Sequence, residues 1–208
     1  MKLGGNAIEQ ALRDGVWHAY VGDKEISHKD LRIGPNSVDV TLHRRILIPN
    51  MPSRGPLDPC RDAGSIQWME CDCAGADGFR LEPGQFVLGA VRERFYCSAP
   101  IRVFHDNGSR FYVDAGAHLF APMYEGRSTC GRIGLASHIT AGFGDHAFAG
   151  AFTLELVSSF PYPVILREGM RIGQVAFESV YAPKVYEGAY STAHNDGPVP
   201  PVLGAGRF

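Results

Sequence analysis

Turn-forming residues interrupt almost every part of this chain, and that feature limits its possible folds more than any other. The 208 residues include 25 glycines and 14 prolines, which end helices and favour short strands joined by turns. Only residues 6–14 show the apolar spacing of an amphipathic helix. We expect Asn6 to cap this helix, Ile8 and Ala11 to face the core, and Gly15 to end it.

Short apolar runs between turn signals predict a mainly β fold. Val38, Val40 and Leu42 alternate with polar residues, as in a half-buried strand. Asp39, on the polar side of that strand, is expected either to be solvated or to brace a neighbouring arginine. Further strands are expected at 45–48, 66–69, 95–97, 110–113, 118–121, 162–166 and 171–177, and on both sides of the turn at Pro83-Gly84. We expect one domain spanning residues 1–208 rather than two small ones.

Charge and cysteine content exclude several classes of protein. A formal net charge of −2 gives no general attraction to nucleic acid or to an anionic membrane. The chain has no run of about 20 apolar residues that could span a bilayer and no secretory h-region. Five cysteines without a regular framework are typical of reduced thiols and predict a cytoplasmic location.

Three local patterns receive a structural interpretation. Cys71-Asp72-Cys73 lacks the usual spacing of a zinc site, so we expect no metal there. The triplet Arg92-Glu93-Arg94 is expected to be a solvated charged cluster. The tail from about residue 182 is rich in proline and glycine, and we expect it to be either disordered or a flexible lid that orders over a ligand.

The segment from Glu125 to Leu156 contains the residues best suited to chemistry. Arg127, Ser128 and Thr129 offer a cation, two hydroxyls and backbone N–H groups, which suit a phosphate, although an exposed turn would have the same sequence. Glu155 lies between leucines, and a poorly solvated carboxylate is suited to proton transfer. Arg132 would then fix Glu155 or stabilise developing negative charge. The alternative is a structural ion pair between the two.

Two further residues of this segment have competing interpretations. Asp145 either caps a turn or accepts a hydrogen bond from a sugar hydroxyl. Phe148 either belongs to the core or packs on a sugar or a base. The chain contains no H-x-E followed by P-C-x-x-C, which argues against a zinc deaminase site. It also lacks the nucleophile elbow G-x-S-x-G and the phosphate-binding P-loop.

Five blocks of sequence together resemble the dCTP deaminase family, within the superfamily of trimeric dUTPases. They are PNSVDVTL at 35–42, LEPGQFVLG at 81–89, EGRSTCGR at 125–132, TAGFGDHAFAGAFTLEL at 140–156 and GMRIGQ at 169–174. The resemblance implies a distorted jelly-roll, the β-clip dUTPase-like fold, with one short N-terminal helix. It also implies a homotrimer with active sites between subunits.

The resemblance implies zinc-independent deamination of dCTP to dUTP and ammonia, as part of dTTP supply. Glu155 would be the general acid and base, with Ser128 and Arg132 positioning it and the attacking water. The substrate-binding residues would be Arg127, Ser128 and Thr129 for the triphosphate, Ile139, Thr140 and Ala141 for the base, Asp145 and Phe148 for the sugar, and Gln174 and Tyr190 around the pocket. Mg²⁺ would be bound through the substrate phosphates, and zinc would be absent.

Because the chain departs from the family pattern, the sequence does not decide which product is formed or whether the tail forms a lid. Gly144 and His146-Ala147 surround Asp145 where the family has an apolar residue and Pro-Gly, and Cys130 replaces an apolar residue. The tail lacks the lysine and glutamine that usually close over the phosphates. The alternatives are a bifunctional dCTP deaminase and dUTP diphosphatase that yields dUMP, a non-catalytic nucleotide-binding relative, or an enzyme acting on a modified pyrimidine nucleotide.

Overall fold

The computed structural model describes residues 2–50, 56–58, 66–97, 102–106, 109–113, 119–140, 142–146, 148–180 and 197–201. These residues form sixteen β-strands and two short helices. The mainly β fold predicted from the sequence, with one short N-terminal helix, is confirmed. A second helix, α2 (Ser128–Arg132), has only five residues and was not predicted.

The N-terminal helix α1 spans Gly5–Arg13. Its N-cap is Gly4 and no side chain caps it, so the prediction that Asn6 is the cap was wrong. The helix begins earlier because Gly5 donates its N–H to Pro35 O at 2.6 Å, and a Cβ at Gly5 would clash with the neighbouring backbone. Ile8 and Ala11 are buried as predicted.

A four-stranded antiparallel sheet carries much of the candidate site. Its strand order is β12-β16-β4-β3, and β16 lies between β12 and β4. The strands are β3 (Arg32–Ile33), β4 (Val38–Thr41), β12 (Leu119–Gly126) and β16 (Arg171–Val180). The ladder between β16 and β4 is regular up to Gly173 and then shifts register, with Arg171 opposite Thr41.

A five-stranded antiparallel sheet has the order β13-β14-β8-β5-β6. Its strands are β5 (Arg45–Asn50), β6 (Gln67–Asp72), β8 (Phe86–Ala90), β13 (Leu135–Ala136) and β14 (Thr153–Ser158). The strand expected at 66–69 is longer than predicted because it pairs along the whole of β5. Asp72 in this strand pairs with Arg44, and Cys73 beyond it is buried.

The remaining strands form three small antiparallel sheets with the orders β2-β1-β9, β10-β11 and β15-β7. Their bounds are β1 (Trp17–Val21), β2 (Lys24–Ile26), β7 (Phe79–Leu81), β9 (Glu93–Cys97), β10 (Arg102–Asp106), β11 (Ser109–Val113) and β15 (Val164–Leu166). The strands β10 and β11 pair on either side of Asn107-Gly108, a dipeptide that is typical of hairpin turns. The turn residues themselves lie outside the described residues.

One hydrophobic core joins the sheets. Val40, Ile46, Leu154 and Val175 are fully buried and come from strands of both larger sheets. Residues 197–201 lie against the five-stranded sheet, where Val199 donates its N–H to Thr153 Oγ1 at 3.2 Å. Of the tail from about residue 182, which is expected to be disordered or to form a lid, only residues 197–201 are described, so the lid stays a prediction.

One buried carboxyl contradicts the sequence analysis. Glu93 is only 8% exposed rather than part of a solvated cluster. Its carboxylate accepts hydrogen bonds from the backbone N–H and the hydroxyl of Thr41, both at 2.7 Å. Burial raises the pKa of Glu93, and the two hydrogen bonds hold β4 against β9.

Candidate functional site

A cleft of about 560 Å³ opens where α2 (Ser128–Arg132) lies over the end of the four-stranded sheet. All three residues that the sequence predicts to bind phosphate line it, together with the carboxylates of Asp39 and Glu125 on nearby strands. The lining residues are Asp39, Glu125, Gly126, Arg127, Ser128, Thr129, Gly131, Leu135, Ala136, Ser137, His138 and Gln174. The volume is in the range of small-molecule sites.

A row of polar residues crosses the sheet along this cleft. Gln174 on β16 pairs with Asp39 on β4 and with Glu125 on β12, and Arg32 on β3 pairs with Asp39. Directly opposed residues of neighbouring strands point to the same face of a sheet. Ser37 Oγ donates to Gln174 Oε1 at 2.8 Å and fixes that amide. Strand pairing therefore brings together residues that are far apart in the sequence.

Asp39 binds two arginines at the edge of the cleft. Its Oδ2 accepts a hydrogen bond from Arg127 Nη1 at 2.8 Å and another from Arg171 Nη1 at 3.2 Å. Of the two interpretations of Asp39, the brace for a neighbouring arginine is the one observed. The side chains of Asp39 and Arg127 are about a quarter exposed, whereas that of Arg171 is 43% exposed.

The helix α2 positions the hydroxyls next to Arg127. Arg127 is its N-cap, and Gly131 N–H donates to Arg127 O at 3.0 Å. Ser128 Oγ accepts a hydrogen bond from Arg132 Nη1 at 3.3 Å. Cys130 faces inward, where burial raises the pKa of its thiol. The apolar residue expected at this position is thus replaced by a small buried thiol that serves the same packing role.

Tyr124 supports the wall of the cleft from inside. It is 1% exposed, and its hydroxyl donates to Ser137 Oγ at 2.8 Å and lies 3.3 Å from Ile172 O. A Cβ at Gly173 would lie closer than 3.0 Å to the Tyr124 ring and hydroxyl. Only glycine therefore allows β16 to approach Tyr124 this closely. Burial raises the pKa of the Tyr124 phenol, so it stays a neutral donor.

Glu155 faces outward from the central part of β14. The strand alternates so that Thr153, Glu155 and Val157 share the less buried face. Glu155 Oε2 accepts hydrogen bonds from the backbone N–H groups of Ile139 at 2.6 Å and Thr140 at 3.0 Å. Residues 135–138 of the same segment line the cleft. The carboxylate is therefore tied to the loop that forms the cleft wall.

The expected contact between Arg132 and Glu155 does not occur within this chain as far as it is described. Arg132 bonds Ser128, and Glu155 bonds backbone N–H groups. Neither the predicted catalytic support nor its alternative, a structural ion pair, is therefore seen between these two side chains. The spacing in the sequence could not reveal this, because the two residues lie on different elements, α2 and β14.

The turn around Asp145 explains two departures from the family pattern. Gly144 packs against Pro122, and a Cβ there would lie 2.9 Å from its ring. His146 is 3% exposed, with its Nδ1 3.2 Å from Phe120 O, and burial lowers its pKa. Asp145 itself is exposed, and its carbonyl accepts the Phe148 N–H at 3.0 Å.

Phe148 packs toward the core in this chain. Its ring centroid is 5.1 Å from that of Phe152, and it lies against the buried cluster. Gln174 lines the cleft as expected. Ile139 is 57% exposed and Thr140 is also exposed. Two predicted site residues, Ala141 and Tyr190, lie outside the described residues.

Sequence reasoning did not identify Arg171, Tyr124 or Ser137 as parts of the site. Arg171 belongs to the motif at 169–174, but the face of the sheet to which its side chain points depends on the register shift in β16. Ser137 and Tyr124 meet only through packing of β12 against the loop after β13. The one available signal was Gly173, a glycine inside a strand, which often marks a bulge or a close approach.

Among the described residues, no group of three or more His, Cys, Asp or Glu side chains is arranged to hold a metal ion. In the same part of the chain, no helix has the length and apolar character needed to cross a membrane.

Comparisons with known proteins agree on one family. Residues 3–104 and 113–180 match the model of the family described as dCTP deaminase-like. The interval between the matched ranges covers most of the residues from β10 to β11. Relatives named "dCTP deaminase, dUMP-forming" include one from Corynebacterium jeikeium, 34% identical over 75% of this chain and 72% of its own length. Another from Methanopyrus kandleri is 28% identical over 91% of this chain and 88% of its own length.

A solved structure has a similar fold. It is the 2'-deoxycytidine 5'-triphosphate deaminase from Agrobacterium tumefaciens, with a TM-score of 0.56 and 16% sequence identity. The match covers 86% of this chain but only 48% of that chain, so this chain spans about half of the solved protein. At this identity the likeness concerns the fold alone.

Proposed function

The chain belongs to the dCTP deaminase-like family, and from that premise we propose that it hydrolyses dCTP in two steps to give dUMP. The first step would release ammonia and the second pyrophosphate. The names of the relatives support this product, since they are called dUMP-forming. The motifs in the sequence led us to expect dUTP as the end product, whereas the names of the relatives support the alternative, dUMP.

The observation that carries the proposal is the position of Glu155 relative to the cleft. One carboxylate oxygen is held by two backbone N–H groups, from Ile139 and Thr140. A carboxylate that acts as general acid and base must keep a fixed orientation, and these two hydrogen bonds provide it for Glu155. Its second oxygen makes no hydrogen bond among the described residues. The same loop continues into the cleft wall, so a base bound along it would lie beside that carboxylate.

Deamination then follows from the chemistry of a carboxylate. Glu155 takes a proton from a water molecule, whose oxygen attacks C4 of cytosine. The proton passes to N3, and a tetrahedral intermediate forms. Glu155 carries a second proton from the new hydroxyl to the amino group, the C4–N bond breaks, and ammonia leaves. The products are dUTP and ammonia, with one water consumed.

The phosphate end of the cleft would support the second step. Arg127, Ser128 and Thr129 would bind the triphosphate through a guanidinium, two hydroxyls and backbone N–H groups. A second water molecule attacks the α-phosphorus of dUTP, and the bond to the β-phosphate oxygen breaks. The products are dUMP and pyrophosphate. All three residues line the cleft whose wall includes residues 135–138, and that segment leads directly to the backbone N–H groups that bind Glu155.

The other predicted residues keep their proposed roles. Ser128 and Arg132 would orient the attacking water, and their mutual hydrogen bond supports a joint role. Ile139, Thr140 and Ala141 would contact the base. Asp145 would bind the 3′-hydroxyl. Phe148 would contact the deoxyribose, and Gln174 and Tyr190 would close the pocket.

Magnesium is proposed to enter with the substrate. The cleft contains two carboxylates, Asp39 and Glu125, which fit an ion already held by phosphates better than a resident metal. Mg²⁺ would neutralise part of the triphosphate charge.

We further propose a homotrimer in the cytoplasm. The exposure of the apolar side chains of Ile139 (57%) and Phe143 (59%) supports coverage by another subunit.

The test is to incubate the protein with dCTP, dUTP or dCMP and Mg²⁺, and to measure ammonia, pyrophosphate and nucleotides. Ammonia, pyrophosphate and dUMP from dCTP are expected. Ammonia with dUTP alone would establish the one-step deaminase. Binding without any product would refute both enzyme proposals and favour a nucleotide-binding protein.

The variant Glu155→Gln tests the proton-transfer role separately. Its amide oxygen can still accept both backbone N–H groups, so the loop should keep its place. We expect kcat for ammonia release to fall by about 10²-fold or more, with unchanged unfolding by urea. Normal deamination by this variant would disprove the role of Glu155. Thr153→Val, on the same face of β14, serves as the control and should deaminate normally.

A further inference from the structure

A β-bulge directs Arg171 toward the cleft. Gln174 is opposite Asp39 and Gly173 is opposite Val40, but the next paired residue is Arg171, opposite Thr41. Ile172 is therefore an extra residue. In a regular strand Arg171 and Gln174, three positions apart, would face opposite sides. The bulge turns Arg171 to the side of Gln174 and Asp39, as bulges commonly do near functional sites.

The contacts around the bulge keep it in place. Ile172 is fully buried, and its carbonyl lies 3.3 Å from the Tyr124 hydroxyl. Gly173 packs directly under the Tyr124 ring. The Arg171 carbonyl lies 3.7 Å from Cys130 Sγ on α2. The backbone of Arg171 and of the two residues after it is thus held, and the guanidinium of Arg171 remains partly exposed beside Asp39.

The charges of the cleft explain why Arg171 matters. Among the described residues, those that line the cleft include two carboxylates, Asp39 and Glu125, but only one guanidinium, that of Arg127. Asp39 bonds Arg127 directly, so that pair alone would have no net charge and would attract a phosphate chain poorly. Arg171 bonds the same carboxylate oxygen. The three side chains together carry a net charge of about +1 at neutral pH.

We propose that Arg171 is a positioning residue of the phosphate site. By sharing Asp39, it compensates the carboxylate and leaves Arg127 with an uncancelled positive charge and unused donors for the substrate phosphates. Each guanidinium has five N–H donors, and the contact with Asp39 occupies only one Nη1 of each. The inference rests on the proposed function, which assigns Arg127 to the phosphates.

The test measures binding of inorganic tripolyphosphate to the full chain by calorimetry, independently of turnover. Arg171→Gln should weaken binding about tenfold, while Arg171→Lys, which keeps the charge, should stay within about threefold of wild type. Asp39→Asn combined with Arg171→Gln should restore binding, because the carboxylate that binds Arg127 directly is then removed. Arg80→Gln, which changes an exposed arginine on β7 paired with Glu82, is the control.

The possible results of these measurements lead to different conclusions. A double variant that binds as weakly as Arg171→Gln would show that Arg171 touches phosphate directly, and the positioning proposal would be wrong. Wild-type binding by Arg171→Gln, or no tripolyphosphate binding by wild type, would also overturn it. For dCTP, Arg171→Gln should raise KM about tenfold and leave kcat within about twofold. A protein that shows the expected order of tripolyphosphate affinities but no dCTP hydrolysis would refute the proposed function alone.

Discussion

Replacing Gly173 by alanine should destabilise the protein far more than the small change in volume suggests. The new Cβ would lie closer than 3.0 Å to three atoms of Tyr124, whose side chain is 1% exposed and cannot move into solvent. Overpacking of this kind costs about 1–3 kcal/mol. A displaced ring also loses its hydrogen bond to Ser137, which contributes about 1 kcal/mol. We expect the free energy of unfolding to fall by about 3 kcal/mol.

Urea denaturation measures this effect. With a slope of about 2 kcal/mol/M, the midpoint should fall by about 1.5 M. Gly131→Ala is the matched control, since a Cβ there meets no atom within 4 Å and alanine favours the α2 helix by up to about 1 kcal/mol. In a Tyr124→Leu background, which lacks the ring, alanine at 173 should cost less than about 1 kcal/mol. Wild-type stability of the single Gly173→Ala variant would show that the close approach does not constrain β16.

Two further predictions concern other parts of the fold. Because the folded-state pKa of Glu93 is raised by burial, its contribution to stability should be complete below its ordinary pKa of 4.5 and be lost as pH rises through the raised value. Thermal unfolding at several pH values should therefore show that the stability difference between wild type and Glu93→Gln shifts against wild type as pH increases. A difference that is the same at all pH values would contradict this. Thr153→Val removes the acceptor for the Val199 N–H, so hydrogen exchange at Val199 should accelerate about fivefold, for a bond of about 1 kcal/mol. Equal exchange in both proteins would mean that this bond does not hold residues 197–201.

The strands were largely predictable because their patterns are local. Val38, Val40 and Leu42 alternate with polar residues in the sequence, and all three are fully buried. The helix cap was not predictable, because Gly5 meets the backbone of Gly34 through tertiary packing. Glu93 looks solvated between two arginines in the sequence, yet the pairing of β9 with β1 and the bonds to Thr41 bury it.

The candidate site was predictable only in part, for the same reason. Arg127, Ser128 and Thr129 are consecutive, and a local motif was enough to place them together at one cleft. Arg171 joins them through a bulge, which depends on how β16 fits Tyr124. Phe148 is a similar case, since its packing on Phe152 depends on tertiary structure and could not be derived from the sequence.

The polar row across the four-stranded sheet has a consequence for how the sequence can change. Arg32, Asp39, Gln174 and Glu125 meet because four strands pair at one particular offset. A slip of β16 by one residue would turn Gln174 toward the core and break the row. Point substitutions can therefore vary the chemistry of this surface gradually, whereas single-residue insertions or deletions in its central strand would remove it in one step. The side chains that line the cleft can be exchanged, whereas the number of residues in the strand must stay the same.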